Sequence, residues 1–116
     1  MNDELRLVSE LSGDTYKNSI GSEISIIKIA NDILMTCKEM AKFYDVSYSA
    51  VSKKLKKLFT SGDLAKKQVS SILTHKATDG KLYRTTYYNS QVIYKIGTML
   101  KSHEHENLQK WLSLKN

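Results

Sequence analysis

TCKEMAKFYDVSYSAVSKKLKKLF, residues Thr36 to Phe59, has the form of two short helices joined by a tight turn. Thr36 is a suitable N-cap, and Glu39 three residues on completes a capping box. Cys37, Met40, Ala41 and Tyr44 repeat at i, i+3, i+4 and i+7, which gives the first helix one apolar face. Ala41 is small where a second helix would cross closely. Asp45-Val46-Ser47 supplies the turn, with Val46 as an inward anchor and Ser47 as N-cap of the next helix. On that helix Val51, Leu55 and Leu58 form one stripe with Phe59 at its edge, and Ser49, Lys53, Lys56 and Lys57 fall on the other side. Gly62 ends it, with Asp63 continuing the turn chemistry.

A basic second helix after a tight turn is the sequence form of a helix-turn-helix, whose second helix enters the DNA major groove. Its N-terminal half reaches base edges, so Tyr48, Ser49, Ser52 and Lys53 are the expected base contacts. Ser47 is expected to cap the helix and touch a phosphate, and Lys56 and Lys57 extend the cationic face. A lysine-coated surface helix on a small domain is the plainer alternative, since charge runs are usually solvated faces.

Where the charge sits favours the first reading. The 116-residue chain carries a net charge of +6, and eleven of its 18 basic but only four of its 12 acidic residues lie between Lys38 and Arg84. That stretch is +7 and the remainder is −1. A localised positive field is the footprint of a polyanionic partner. The length predicts one domain. The lone Cys37 cannot form an internal disulfide, and neither a membrane-spanning run nor a signal-peptide pattern is evident. A reducing bacterial cytoplasm, at the nucleoid when bound to DNA, is the expected location, with no membrane partner.

Outside the helix pair, residues 1–22 are polar with few periodic apolar positions and read as a flexible N-terminal segment; 23–116 reads as the folded domain. EISIIKIANDILM, from Glu23 to Met35, reads as a β-hairpin turning at Asn31-Asp32, too apolar for alternation to tell which face is buried. Val69 to Tyr88 reads as a second hairpin about Asp79-Gly80, with a basic tip of Lys76, Lys81 and Arg84. A hairpin of this kind after a recognition helix has the pattern of a wing whose tip meets phosphates; a plain stabilising hairpin fits the same residues. Asn89 caps a further helix containing Val92, Ile93, Ile96, Met99 and Leu100, in which Gly97 implies a close contact. Glu104 to Lys115 forms a last helix, with Trp111 either covering the core or meeting another subunit.

No catalytic constellation emerges, and no enzymatic role, cofactor or metal site is expected. His103 and His105 stand at i, i+2 and do not share a helix face. There is no glycine-rich phosphate loop and no serine elbow. A DNA-cleaving tyrosine (Tyr83, Tyr87 or Tyr88) needs a cluster of arginines, and the chain has two.

From about Glu23 to Trp111 the chain resembles the bacterial RhuM family, a virulence-associated group common on mobile elements. The resemblance rests on LMTCKEMAKFYDVS, VSYSAVSKKLKKLFTSGDL, HKATDGKLYRTTYYN and QVIYKIGTMLKS in order, and TDGKLYRTTYYN is its most specific part. It implies a DNA-binding protein. Asp45 departs from the glycine that many helix-turn-helix turns place there. The expected architecture is α+β: a winged helix-turn-helix with an N-terminal β-hairpin, a wing hairpin and C-terminal helices. The expected partner is double-stranded DNA, with a homodimer in prospect because DNA half-sites repeat. A protein-interaction adaptor on the same scaffold is the alternative.

Overall fold

The computed structural model describes residues 11 to 115, and its architecture follows from how the two-helix unit is sealed. Helix α1 (Cys37–Tyr44) is capped as expected, Thr36 Oγ1 accepting the Glu39 N–H at 3.1 Å. The capping box is not completed by Glu39. Its carboxylate instead accepts the Ser25 N–H at 2.7 Å and meets Lys42 at 3.6 Å, tying the helix to a neighbouring strand. Asp45 adopts the left-handed conformation (φ 54°, ψ 50°), the Val46 N–H bonds the Ala41 carbonyl at 3.0 Å, and the Asp45 N–H bonds that of Lys42 at 3.2 Å. This pair of bonds is a Schellman closure, and aspartate reaches it where glycine is usual. Ser47 then starts α2 (Tyr48–Ser61), which ends on Gly62 at φ 82°.

Five antiparallel strands form one sheet: β1 (Ser12–Lys17), β2 (Glu23–Ile29), β3 (Asp32–Thr36), β4 (Ser70–Lys76) and β5 (Leu82–Asn89), in the order β1-β2-β3-β5-β4. The helix pair is inserted between β3 and β4. A four-residue helix α3 (Lys66–Val69), not anticipated from the sequence, leads into β4. Helices α4 (Ser90–Met99) and α5 (Glu104–Lys115) follow at the expected places. Asn89 Oδ1 caps α4 by accepting from Gln91 and Val92. None of the described helices is long and apolar enough to cross a membrane.

The main core lies between one sheet face and the helices. Met40 and Ala41 of α1 meet Val51 and Leu55 of α2, and Ile24, Ile26, Met35 and Tyr88 come up from the sheet. Phe43, outside the expected apolar stripe, is fully buried against Tyr16 at 5.7 Å, because α1 is covered by the sheet as well as by α2. The other sheet face holds a second cluster of Ile27, Leu34 and Leu73. The alternation in EISIIKI is ambiguous because the strand buries residues on both faces. Its hairpin turns one residue earlier than expected. Asp32 already pairs with Ile29, Ala30 takes the left-handed position (φ 53°), and Asp32 Oδ1 accepts from the Ser90 N–H of α4 at 3.2 Å.

The boundary expected at residue 22 is corrected. Residues 12–17 form β1, paired to β2 from Ser12↔Lys28 to Lys17↔Glu23, with Tyr16 buried between Phe43 and Trp111. Only one apolar side chain of the strand enters the core, so the segment lacked a periodic signal. The part of the flexible-segment expectation covering residues 1–10 lies outside the described residues. Trp111 covers the core, its ring 5.2 Å from that of Tyr16 and beneath the Lys28 ammonium. Gly97 is required by contact: a Cβ there would lie 2.5 Å from the Tyr44 hydroxyl and 2.5 Å from His105 Nδ1. That hydroxyl donates to the Ile93 carbonyl, and burial holds the phenol pKa far above its usual range.

Asn18, buried after β1, donates from Nδ2 to the carbonyls of Phe43 (3.1 Å) and Lys42 (3.3 Å) and accepts at Oδ1 from Ser22 (2.9 Å) and Ile20 (3.2 Å). One amide thus serves the open end of α1 and folds the β1–β2 loop. Asn18→Ala removes these four bonds, leaving the Lys42 carbonyl only its Asp45 bond, and is expected to lower stability by about 1–3 kcal/mol in urea unfolding. An unchanged midpoint would show that other groups seal the helix end.

Candidate nucleic-acid interface

Helix α2 separates stability from display along its length. Val51, Leu55 and Leu58 are buried, while Ser49, Ser52, Lys53, Lys56 and Lys57 are exposed. Ser47 Oγ accepts the Ala50 N–H at 3.0 Å, and its hydroxyl proton is left to donate elsewhere. Tyr48, the first helical residue, is 60% exposed. It stands beside Cys37, whose thiol pKa is pushed up by burial, a rise that the neighbouring Tyr48 phenol opposes. Lys53, Lys56 and Lys57 have no ion-pair partner among the described residues, so their field is open to solvent.

The β4–β5 hairpin supplies the second set. Its register runs from Ser70↔Tyr88 to Lys76↔Leu82. Alternation therefore puts Lys76 and Arg84 on the face that carries Tyr88, towards the helices. Both are exposed, as is Lys81 beside the turn. The turn is rigidly braced. The Ala77 N–H donates to the Lys81 carbonyl and the Lys81 N–H to Asp79 Oδ1, both at 2.9 Å, while the Tyr83 hydroxyl donates to Asp79 Oδ2 at 3.1 Å. Gly80 takes φ 84°, the conformation that makes glycine necessary there. His75 and Tyr83 stack across the strands at 5.8 Å.

Helix and hairpin flank common ground. Because β3 stops at Thr36, opposite Tyr87, β5 from Leu82 to Thr86 has no strand on that side. A groove of about 710 Å³ opens there, lined by Lys38, Tyr48, His75 and Arg84 among others. All ten side chains expected at the site are exposed, and the groove brings Tyr48 and Arg84 to one surface. Lys53 and Lys57 line a separate hollow on the outer side of α2. Lys38 and Lys66 join this surface without being among the expected site residues. Both belong to the basic stretch, but only the packing of α1 and α3 beside α2 brings them here.

Comparison with protein-family models, with curated proteins and with solved structures finds no match to this chain.

The two sides of α2 differ in what substitution should do. Leu55→Ala is expected to cost about 2–5 kcal/mol. Lys56→Ala and Lys57→Ala should each stay within about 0.5 kcal/mol of the parent. Thermal melts in which the lysine variants unfold early and Leu55→Ala does not would invert the helix faces and remove the interface.

Proposed function

We propose that this chain binds double-stranded DNA in a sequence-specific manner and acts as a transcriptional regulator of a phage or mobile element. In this reading the fold is a winged helix-turn-helix, α2 is the recognition helix in the major groove, and the β4–β5 hairpin is a wing on the backbone. The observation that carries it is the meeting of helix and hairpin: Tyr48 at the start of α2 and Arg84 of the hairpin line one groove, while Lys53, Lys56 and Lys57 stand exposed along the same helix, on elements fixed by the core. The order β3-β5-β4, with the helix pair between β3 and β4, is the arrangement a wing needs. The resemblance to the RhuM family, strongest over TDGKLYRTTYYN, agrees with it.

Roles divide by position. Tyr48, Ser49, Ser52 and Lys53 stand in the N-terminal half of α2 and meet base edges, with Lys53 the residue suited to guanine O6 and N7. Ser47, Lys56 and Lys57 hold phosphates on the same groove. Lys76, Lys81 and Arg84 hold the backbone from the wing. Phosphate contacts contribute affinity and position; base-edge contacts contribute discrimination. A homodimer would match repeated half-sites.

The second reading, a protein-interaction adaptor on the winged-helix scaffold, has its own support at the hairpin tip. Leu82 is 62% and Tyr83 44% exposed there, which is apolar surface a protein partner could cover. A salt titration separates the two, because release of counterions from DNA makes affinity fall steeply as salt rises.

Lys53→Ala is expected to cost about 1–3 kcal/mol on selected duplex sites and to relax preference at one base position, read by binding to a randomised duplex pool. Equal weakening on selected and random DNA would make Lys53 a phosphate contact. Replacing Lys76, Lys81 and Arg84 together by alanine should weaken binding to all sequences and lower the salt slope by about one for each phosphate no longer neutralised. A slope that stays at the parent value would leave the hairpin as scaffold.

A further inference from the structure

The groove beside β5 does not end at Tyr48. A second hollow of about 420 Å³ continues from it along α2, sharing Cys37, Tyr48 and Tyr88. Together they make one trough. Lys38 and Arg84 line its first half, Lys56 and Lys66 its second, and no carboxylate of the described residues lines either. Part of its wall is rigid: Tyr88 of β5 stacks on Phe59 of α2 at 6.0 Å, and β5 is held to β3 by the Met35↔Tyr88 pair.

Tyr48 belongs to both halves. It stands beside Cys37 on both linings, its ring is largely in solvent, and no described aromatic ring packs on it. It is thus an exposed aromatic surface on which no described ring packs, within a cationic trough. A base inside a duplex offers a groove-reading side chain only its edge. Its ring face is presented only once it is unpaired and unstacked. Cations that follow a backbone, together with an aromatic ring for a base to stack on, are the features of a single-strand site.

We infer that the trough between α2 and the β4–β5 hairpin binds an unpaired segment of DNA, with a base stacked on Tyr48 and the backbone held by Lys38, Arg84, Lys56 and Lys66. The trough itself is independent of the duplex reading. The choice of DNA over RNA rests on that reading: Tyr48, Lys56 and Arg84 are contacts of the duplex there, and where the duplex is locally opened the freed strand would take the same residues in the trough. The protein would then engage DNA that is locally opened, a further activity beyond duplex recognition.

The test is fluorescence anisotropy with labelled oligo(dT) of about 12 nucleotides, within the ~4–16 nucleotide span of such grooves. A matched oligo(U) and a blunt duplex serve as further ligands. Tyr48→Ala should weaken oligo(dT) binding roughly 5- to 150-fold, the worth of one base stack, while Tyr48→Phe keeps the parent affinity. Lys38→Ala with Lys66→Ala should flatten the salt dependence. Lys95→Ala with Lys110→Ala, exposed on α4 and α5, should leave binding unchanged. Oligo(dT) carrying 5-iododeoxyuridine should photo-cross-link to the peptide containing Tyr48. Parent-like oligo(dT) affinity in Tyr48→Ala, with its fold confirmed by thermal melting, overturns the site; tighter binding of oligo(U) overturns the choice of DNA. A parent protein that binds oligo(dT) in this Tyr48-dependent way but ignores duplex of any sequence would sink the duplex reading and leave the trough standing.

Discussion

The turn Asp45–Val46–Ser47 is the constraint on which the remaining structure depends. Asp45 in the left-handed conformation closes α1 abruptly, and Ser47 opens α2 just beyond it. The two apolar stripes then meet, Met40 and Ala41 against Val51 and Leu55. A longer or looser connection would let α2 rotate about its axis, and a rotation of one residue, about 100°, would turn lysines towards the core. A residue in this conformation other than glycine costs on the order of 1 kcal/mol. The buried crossing and the two Schellman bonds offset that cost, and Val46 packs inward to hold the turn against the core.

With α2 held in this way, its cationic side needs no charge partners. Lysines at positions 53, 56 and 57 repel one another and are set at the surface by the burial of Val51, Leu55 and Leu58 on the opposite side. The open field is a consequence of packing elsewhere. The hairpin follows the same logic. Its strand ladder and braced turn bear the structure, so the Lys76 and Lys81 side chains are left exposed at the surface. Preorganised charge of this sort raises encounter rates and limits the ordering cost of binding.

A sheet that is apolar on both faces explains the architecture around the helix pair. One face is the platform for α1, α2, α4 and α5, and the other gathers Ile27, Leu34 and Leu73. The early part of the chain contributes more than its composition suggests, through one tyrosine and one asparagine. Tyr16 bridges Phe43 and Trp111, and Asn18 serves the end of α1. Single buried contacts of this kind carry no periodicity, and pattern reading passes over them.

The chain's local chemistry determined α1, α2, α4 and α5, the caps of the first three of these, and the two hairpins. Thr36, Ser47, Asn89 and Gly62 act at helix ends through bonds or dihedrals within a few residues, and Asp79-Gly80 does the same at the hairpin turn; such signals survive any tertiary context. The division of α2 into a buried and an exposed side was legible for the same reason, since it follows from a 3.6-residue period. Tertiary structure alone decided what depends on residues distant in the chain. Glu39 abandons its capping box for Ser25, and Phe43 is buried by a strand that begins at Ser12. Lys38, Tyr48, Lys66 and Arg84 become neighbours along one trough because β3 stops at Thr36, leaving the side of β5 open to the helices. Side chains on four separate elements share a surface only after the sheet order and helix packing are set, and no local spacing encodes that meeting.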